Sequence, residues 1–156
     1  MRLLEVWVKG SFLRGASILI LSECLRQIHP KLCEEFSKDR LSLSICPERE
    51  GFDGIVTKLA TILRTSNPRD LTVLTMEGSP HCLFLHTSVL QALFLTGLGI
   101  RSRHFVVLDG VPLEVRPEAV RIARYLHLVD RLLTKCPEAL EGIKELSHEQ
   151  RKAMEH

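Results

Sequence analysis

The segment from Met76 to Cys82 gathers side chains that can do chemistry at the start of a predicted helix. It reads Met-Glu-Gly-Ser-Pro-His-Cys, and His86 follows one helical turn later. A helix N-terminus attracts anions and favours thiolates, because its dipole is positive there. An imidazole transfers protons near neutral pH, which makes His81 a candidate general acid or base. We expect the other ligand contacts of this segment from Gly78, Ser79 and Cys82.

A second polar segment runs from Lys9 to Ser17. It combines glycines, hydroxyls and two cations. Glycine lets the backbone approach a bound anion closely, and lysine or arginine neutralises phosphate. This composition predicts a phosphate-binding turn, although the spacing matches neither the dinucleotide fingerprint nor the P-loop. The candidate residues are Lys9, Gly10, Ser11, Arg14 and Ser17.

A third polar segment, Cys46–Glu50, leaves a metal alternative open. Thiol and imidazole ligands together are typical of zinc sites. The alternative ligand set is Cys46, Cys82 and His86. Adjacent residues such as His81 and Cys82 rarely reach the same ion, so we expect no bound transition metal and no cofactor.

Alternating apolar segments must position these loops. The pattern predicts strands at Leu3–Val8, Leu41–Cys46, Leu71–Met76 and His104–Leu108. It predicts helices over about Ser17–Phe36 (interrupted or kinked at Pro30), Gly51–Arg64, Cys82–Thr96 and from Pro117 to about Leu133. Asp109-Gly110 predicts a two-residue hairpin turn into a strand at Val111–Val115. Pro137-Glu138 opens a further helix, and Ser147 with Gln150 forms a capping box.

This alternation predicts a Rossmann-like α/β fold. Four strands form a mostly parallel sheet, a hairpin strand is added in the C-terminal half, and helices cover both faces. We expect one domain over 1–134 and a helical extension of the same domain over 135–156. Ligands of such sheets bind beyond the carboxyl ends of the strands.

Composition narrows the classes of function. The net charge of +2 argues against a protein that coats long nucleic acid. No apolar run approaches the roughly 20 residues of a membrane span, and the N-terminus lacks a signal-peptide pattern. The five cysteines form no C-x-x-C pair and indicate free thiols. We expect a cytoplasmic protein.

The second half of the predicted sheet resembles a known family. Leu71–Ser79 is an apolar strand that ends in a turn with threonine and glycine, and Ala92–Gly97 ends an amphipathic helix before the strand His104–Leu108. This pattern is similar to the distal half of CRISPR-associated Rossmann-fold (CARF) domains, and the resemblance covers about Met1–Asp109. The family implies a homodimer that binds cyclic oligoadenylate across its two-fold axis. Some small members cleave that ligand without metal, as ring nucleases.

Three functions therefore remain open. In the first, a CARF-like domain binds a phosphodiester and cleaves it with His81, Ser11 and Lys9, which places both polar loops around one crevice. In the second, a Cys/His-dependent zinc or thiol enzyme uses Cys46, Cys82 and the histidines. In the third, the chain is a dimeric interaction module without catalysis. The apolar residues of the helix after Pro117 favour a homodimer.

Overall fold

The computed structural model of the chain describes residues Met1–Ser147. The chain forms two compact units, Met1–Pro117 and Glu118–His156. The first unit contains the whole sheet, and the second contains helices. The predicted capping box at Ser147 and Gln150 extends beyond the described residues.

The sheet has five strands in the order β2-β1-β3-β4-β5. The first four strands are parallel, and β5 pairs antiparallel with β4. The predicted count of four parallel strands and one hairpin strand is therefore confirmed. The strands are β1 (Ser17–Ser22), β2 (Leu41–Ile45), β3 (Asp70–Met76), β4 (Arg101–Leu108) and β5 (Val111–Val115).

The prediction for the first strand and first helix is wrong. Leu3–Val8 is not a strand but a turn-rich segment, tied to β2 through the isolated bridge between Arg2 and Ser44. Ser17–Ser22, predicted as the start of a helix, is the central strand β1. Its sequence Ser-Ile-Leu-Ile-Leu-Ser is the continuous apolar run of a strand that is buried on both faces. The apolar residues Leu3 and Val6 are buried without pairing as a strand.

Helices of the first unit cover both faces of the sheet, and two of the predicted helices are interrupted. Pro30 separates α1 from α2, as expected from its missing amide proton. The helix predicted from Pro117 to Leu133 is interrupted between Ile122 and Leu126. The helices are α1 (Glu23–Ile28), α2 (Pro30–Ser37), α3 (Pro47–Glu50), α4 (Phe52–Ser66), α5 (Pro80–Thr96), α6 (Pro117–Ile122), α7 (Leu126–Lys135) and α8 (Glu138–Leu146).

Two hydrophobic clusters hold the first unit together, one on each face of the sheet. The larger cluster packs Ile18 and Ile20 of β1 and Val73 of β3 against α4 and α5. The smaller packs Leu19 and Leu21 against α1 and α2. Alternate residues of β1 thus serve opposite faces, which fixes the register of the central strand.

The hairpin between β4 and β5 forms as predicted. Leu108 pairs with Val111 across the two-residue loop. Asp109 has a φ of 49° and Gly110 a φ of 81°, the two positive values that a type I′ turn requires.

In the second unit, α7 and α8 contain no buried residue. None of the helices in residues 1–147 is long and apolar enough to cross a membrane.

Candidate functional site

The carboxyl ends of β1 and β3 mark the expected ligand crevice. The chain leaves β1 through α1 and α2 toward β2, and it leaves β3 through α5 toward β4. The strand order 2-1-3-4 therefore reverses between β1 and β3. Connections that diverge to opposite sides of a sheet open a crevice at that point, where doubly wound proteins bind ligands. The residues around it are Ser22, Cys24, Cys46, Glu48, Thr75, Ser79, His81 and Cys82.

Ser22 is the most informative of these residues. It is the last residue of β1 and is only 1% exposed. Its Oγ has no hydrogen-bond partner among the residues that the structure describes. A buried hydroxyl without a partner costs about 1–3 kcal/mol, so such groups are rare in folded proteins. The Ser22 hydroxyl at the switch point is therefore a buried polar group that still needs a partner, from a water molecule or from a ligand.

Thr75 lies beside Ser22 but is already bonded. It follows Leu74, the last β3 residue registered with β1, just as Ser22 follows Leu21. Thr75 Oγ1 is 2.8 Å from His86 Nε2 of α5. Of these two neighbouring hydroxyls, that of Thr75 has a hydrogen-bond partner within the protein and that of Ser22 has none among the described residues.

Behind Thr75 runs a buried chain of hydrogen bonds. His86 Nδ1 lies 2.9 Å from His104 Nδ1, and His104 Nε2 lies 3.1 Å from Ser102 Oγ. Burial, followed by the proximity of His104, lowers the pKa of His86 to about 3. Burial alone lowers the pKa of His104 to about 4. Both imidazoles are therefore neutral near pH 7, and one Nδ1 donates while the other accepts.

These hydrogen bonds exclude His86 from the alternative zinc ligand set of Cys46, Cys82 and His86. Both of its ring nitrogens are bonded to Thr75 and His104, so neither is available to an ion beside Cys46 and Cys82. Within residues 1–147, no group of three histidine, cysteine or acidic side chains is arranged to hold a metal ion.

Three thiols nevertheless meet at the carboxyl edge. Cys24 is exposed, Cys46 is half-buried and Cys82 is buried. Partial burial of the sulfur raises the pKa of Cys24, and Cys46, Cys82 and Glu48 act in the same direction. A raised pKa keeps Cys24 as a thiol at neutral pH, whereas a nucleophilic cysteine needs a lowered one. This arrangement does not favour the thiol-enzyme alternative.

The cations of this edge are paired with carboxylates. Arg2 reaches Glu50 at 2.6 Å and Glu23 at 3.2 Å. Arg49 contacts the same two carboxylates, each at 2.9 Å. The hydrogen bond from Arg49 is the main reason that the pKa of Glu50 is lowered. With Glu5, which also contacts Arg2, this rim is an ion-pair network of two arginines and three glutamates rather than a basic patch.

The turn into α5 provides the polar groups predicted there. Ser79 is the N-cap residue, and its Oγ accepts the Cys82 amide at 3.3 Å. Gly78 has a φ of 78°, which a residue with a side chain rarely adopts. The His81 side chain is 43% exposed, and its Nδ1 lies 3.9 Å from Glu48 Oε2. Gly78, Ser79, His81 and Cys82 thus lie at the carboxyl edge, as expected.

The predicted first loop lies at the opposite edge of the sheet. The Lys9–Ser17 segment precedes β1 instead of following a strand. Gly15 donates to Ser66 at the end of α4, and Ser17 Oγ donates to Asp70 Oδ2 at 2.8 Å. A six-residue strand spans about 20 Å. The expectation that Lys9, Gly10, Ser11, Arg14 and Ser17 flank one crevice with Ser79 and His81 is therefore wrong.

The residues that sequence reasoning missed are Ser22, Cys24 and Thr75. Ser22 and Cys24 were hidden inside the wrongly predicted helix over Ser17–Phe36. The signal was present in the Ser-Ile-Leu-Ile-Leu-Ser run, because a central strand places its next residues at the carboxyl edge. His104, the first residue of the predicted strand His104–Leu108, is fully buried.

A groove between α4 and α5 is a second candidate for a ligand site. It has a volume of about 700 Å³ and is lined by Thr57, Thr61, Thr65 and Leu95 among others. The Thr61 and Thr65 hydroxyls each bond a carbonyl one turn earlier in α4, at 2.8 Å. The Thr61 and Thr65 hydroxyls are thus satisfied within α4, so the crevice at Ser22 remains the better candidate.

Comparison with known proteins identifies the family but no individual relative. A family model described as a Rossmann-like domain matches residues 10–155. No curated protein and no solved structure matches the chain.

Proposed function

We propose that the chain binds a small phosphodiester ligand between the carboxyl ends of β1 and β3. The chain belongs to the Rossmann-like domain family, and sheets of this kind bind ligands at that edge. The observation that carries the proposal is the buried, unpartnered hydroxyl of Ser22 at the switch point. A ligand oxygen accepting from this hydroxyl satisfies the one polar group that the fold leaves open there. The described residues offer no comparable group at the opposite edge.

The N-terminal end of α5 favours a ligand with negative charge. This helix has 17 residues and begins at the crevice with Ser79, Pro80 and His81. Its positive end attracts phosphate groups. Because Arg2 and Arg49 are engaged by carboxylates, recognition relies on the helix end and on hydroxyl groups more than on free cations.

We propose cyclic oligoadenylate as the ligand, in the manner of CARF domains. The pattern from Leu71 to Leu108 supports this choice, since β3, α5 and β4 build one side of the crevice. We propose binding without cleavage, because Lys9 and Ser11 lie at the opposite edge from His81 and offer it no catalytic partner. A homodimer that presents two such crevices is part of the proposal.

The test is calorimetric titration of the full chain with cyclic tetra-adenylate, with products followed by chromatography. We expect binding, no cleavage, and a dimer in sedimentation. Ser22→Ala should weaken binding about 10-fold, as expected for one lost hydrogen bond to a charged group.

Ser88→Ala is the matched control for this substitution. Ser88 is equally buried, but its hydroxyl donates to the Phe84 carbonyl inside α5. It should therefore leave the affinity unchanged. Failure of the wild-type chain to bind any cyclic oligoadenylate would refute the proposed ligand, and unchanged binding by Ser22→Ala would refute the proposed site.

A further inference from the structure

Three rings form an exposed cluster at the carboxyl edge of the sheet. Phe52 begins α4, while His81 and Phe84 occupy the first turns of α5. The ring centroids of Phe52 and Phe84 are 6.2 Å apart with an interplanar angle of 69°. Those of His81 and Phe84 are 6.4 Å apart at 79°. Phe84 is thus the shared member of two edge-to-face pairs, and we call these three residues the aromatic cluster.

The aromatic cluster is exposed although most of its atoms are apolar. Phe52 is 38% exposed and Phe84 is 49% exposed. A single exposed apolar side chain is common on protein surfaces, but a contiguous group of them marks a contact site. Edge-to-face contacts hold the rings in defined orientations, which lowers the entropy lost when another ring is placed on them.

The position of the aromatic cluster links it to the crevice. His81 belongs to the turn that follows β3, and its imidazole lies beside Glu48 of α3, which follows β2. Phe52 comes two residues after the end of α3. The rings therefore lie at the same edge of the sheet as the end of β1 at Ser22 and the start of α5 at Ser79.

We propose that Phe84, supported by Phe52, is the stacking surface for a nucleobase of the bound ligand. This inference rests on the proposed function and deepens it, because it assigns the base of the ligand to the aromatic cluster and its phosphate to the crevice. Every base has a flat π-face, and stacking on an aromatic side chain contributes about 1–3 kcal/mol per base. Phe84 then selects for ligands that carry a base over phosphate or pyrophosphate alone.

The experiment compares the affinity of the full chain for cyclic tetra-adenylate and for inorganic pyrophosphate. Phe84→Leu should weaken binding of cyclic tetra-adenylate about 5- to 150-fold, which is the stacking energy expressed as an affinity ratio. Binding of pyrophosphate, however weak, should not change. Phe84→Tyr keeps the flat ring and should stay within about 3-fold of the wild type.

Phe94→Leu is the matched control. Phe94 lies on the same helix, is 75% exposed, and is close to the opposite end of α5 at Gly97. Its substitution removes a similar exposed ring and should leave both affinities unchanged. A thermal melt of each variant confirms that the fold is intact.

The outcomes separate this inference from the proposed function. If the wild-type chain binds neither probe, both proposals are wrong. If it binds cyclic tetra-adenylate and Phe84→Leu binds equally well, the stacking surface is wrong and the crevice proposal stands. If Phe84→Leu converts a dimer into a monomer in sedimentation, the aromatic cluster is a contact between copies, and the inference is also overturned.

Discussion

The buried pair of His86 and His104 should make the stability of this protein depend steeply on pH. Both residues lie in the core, with 2% and 0% of their surface exposed. In the folded chain their pKa values are lowered from 6.5 to about 3 and about 4. In the unfolded chain each imidazole is in water and takes up a proton near pH 6.5. The unfolded state thus binds more protons than the folded state below that pH.

The sign and size of the effect follow from this difference. Because the folded pKa values are lowered, the stability that each neutral imidazole contributes is fully present above pH 6.5. It is lost as the pH falls to about 4 for His104 and to about 3 for His86. Two protons correspond to a slope of about 2.7 kcal/mol per pH unit inside this window. At about pH 5, the free energy of unfolding is lower than at neutral pH by about 2 kcal/mol for each histidine, or about 4 kcal/mol for the pair. This is a large share of the roughly 5–15 kcal/mol that stabilises a typical domain.

The assay is urea unfolding at a series of pH values from about 7.5 to about 5, with the free energy extrapolated to water. Across this range most carboxylates remain ionised in the folded and the unfolded chain, so the two histidines account for most of the change. His104→Asn removes one of the two groups that take up a proton on unfolding, and it keeps a polar atom near the position of Nδ1. The variant should be less stable at neutral pH, and its slope should fall to about half, near 1.4 kcal/mol per pH unit.

His127→Asn is the control, because His127 is exposed on α7 and takes no part in the buried chain. It should keep the wild-type slope. A wild-type stability that stays flat between about pH 7.5 and 5, or a His104→Asn variant with the full slope, would show that the two imidazoles are not held neutral by burial.

Two further substitutions test the hairpin and the reassigned loop. Gly110→Val should lower the free energy of unfolding by about 1–3 kcal/mol, because a β-branched residue resists the positive φ of this turn. Gly54→Ala, at an exposed position of α4 with open space around the added methyl group, should be neutral or slightly stabilising; equal melting curves for these two variants would contradict the turn assignment. Ser17→Ala should cost about 1–2 kcal/mol through the lost hydrogen bond to Asp70 and leave the affinity for cyclic tetra-adenylate unchanged. Weaker ligand binding by Ser17→Ala in calorimetry would instead restore the first loop to the site.

Much of the fold could be predicted from the sequence where local pattern and breakers agree. The strand at Leu71–Met76, the helix that ends at Thr96 and the Asp109-Gly110 hairpin each have a pattern and a stop signal that point the same way. The prediction failed at Ser17–Ser22 because a short apolar run fits a buried strand and a buried helix equally well. Only pairing with β2 and β3 on either side makes it a strand, and that pairing is a tertiary effect.

This one misassignment decided the predicted site. Taking Leu3–Val8 as the first strand put the Lys9–Ser17 loop after a strand, where ligands bind, although it precedes β1. The cations Lys9 and Arg14 did not reveal the error, because a basic side chain can bind phosphate at either edge of the sheet. The turn from Gly78 to Cys82 was placed correctly because β3 was predicted correctly.

The His86–His104 pair lay beyond the reach of sequence reasoning for a different reason. The two residues are 18 positions apart and lie in different elements, and no local motif links them. They meet only because β4 pairs with β3 in the register that sets His104 beside Val73, below α5. A buried polar chain is stable only when every member has a partner, so Thr75, His86, His104 and Ser102 must be considered as one unit. That unit ends at Thr75, one strand away from Ser22, and the contrast between the satisfied hydroxyl of Thr75 and the unpartnered hydroxyl of Ser22 is the reason for which the ligand is proposed to bind at this point.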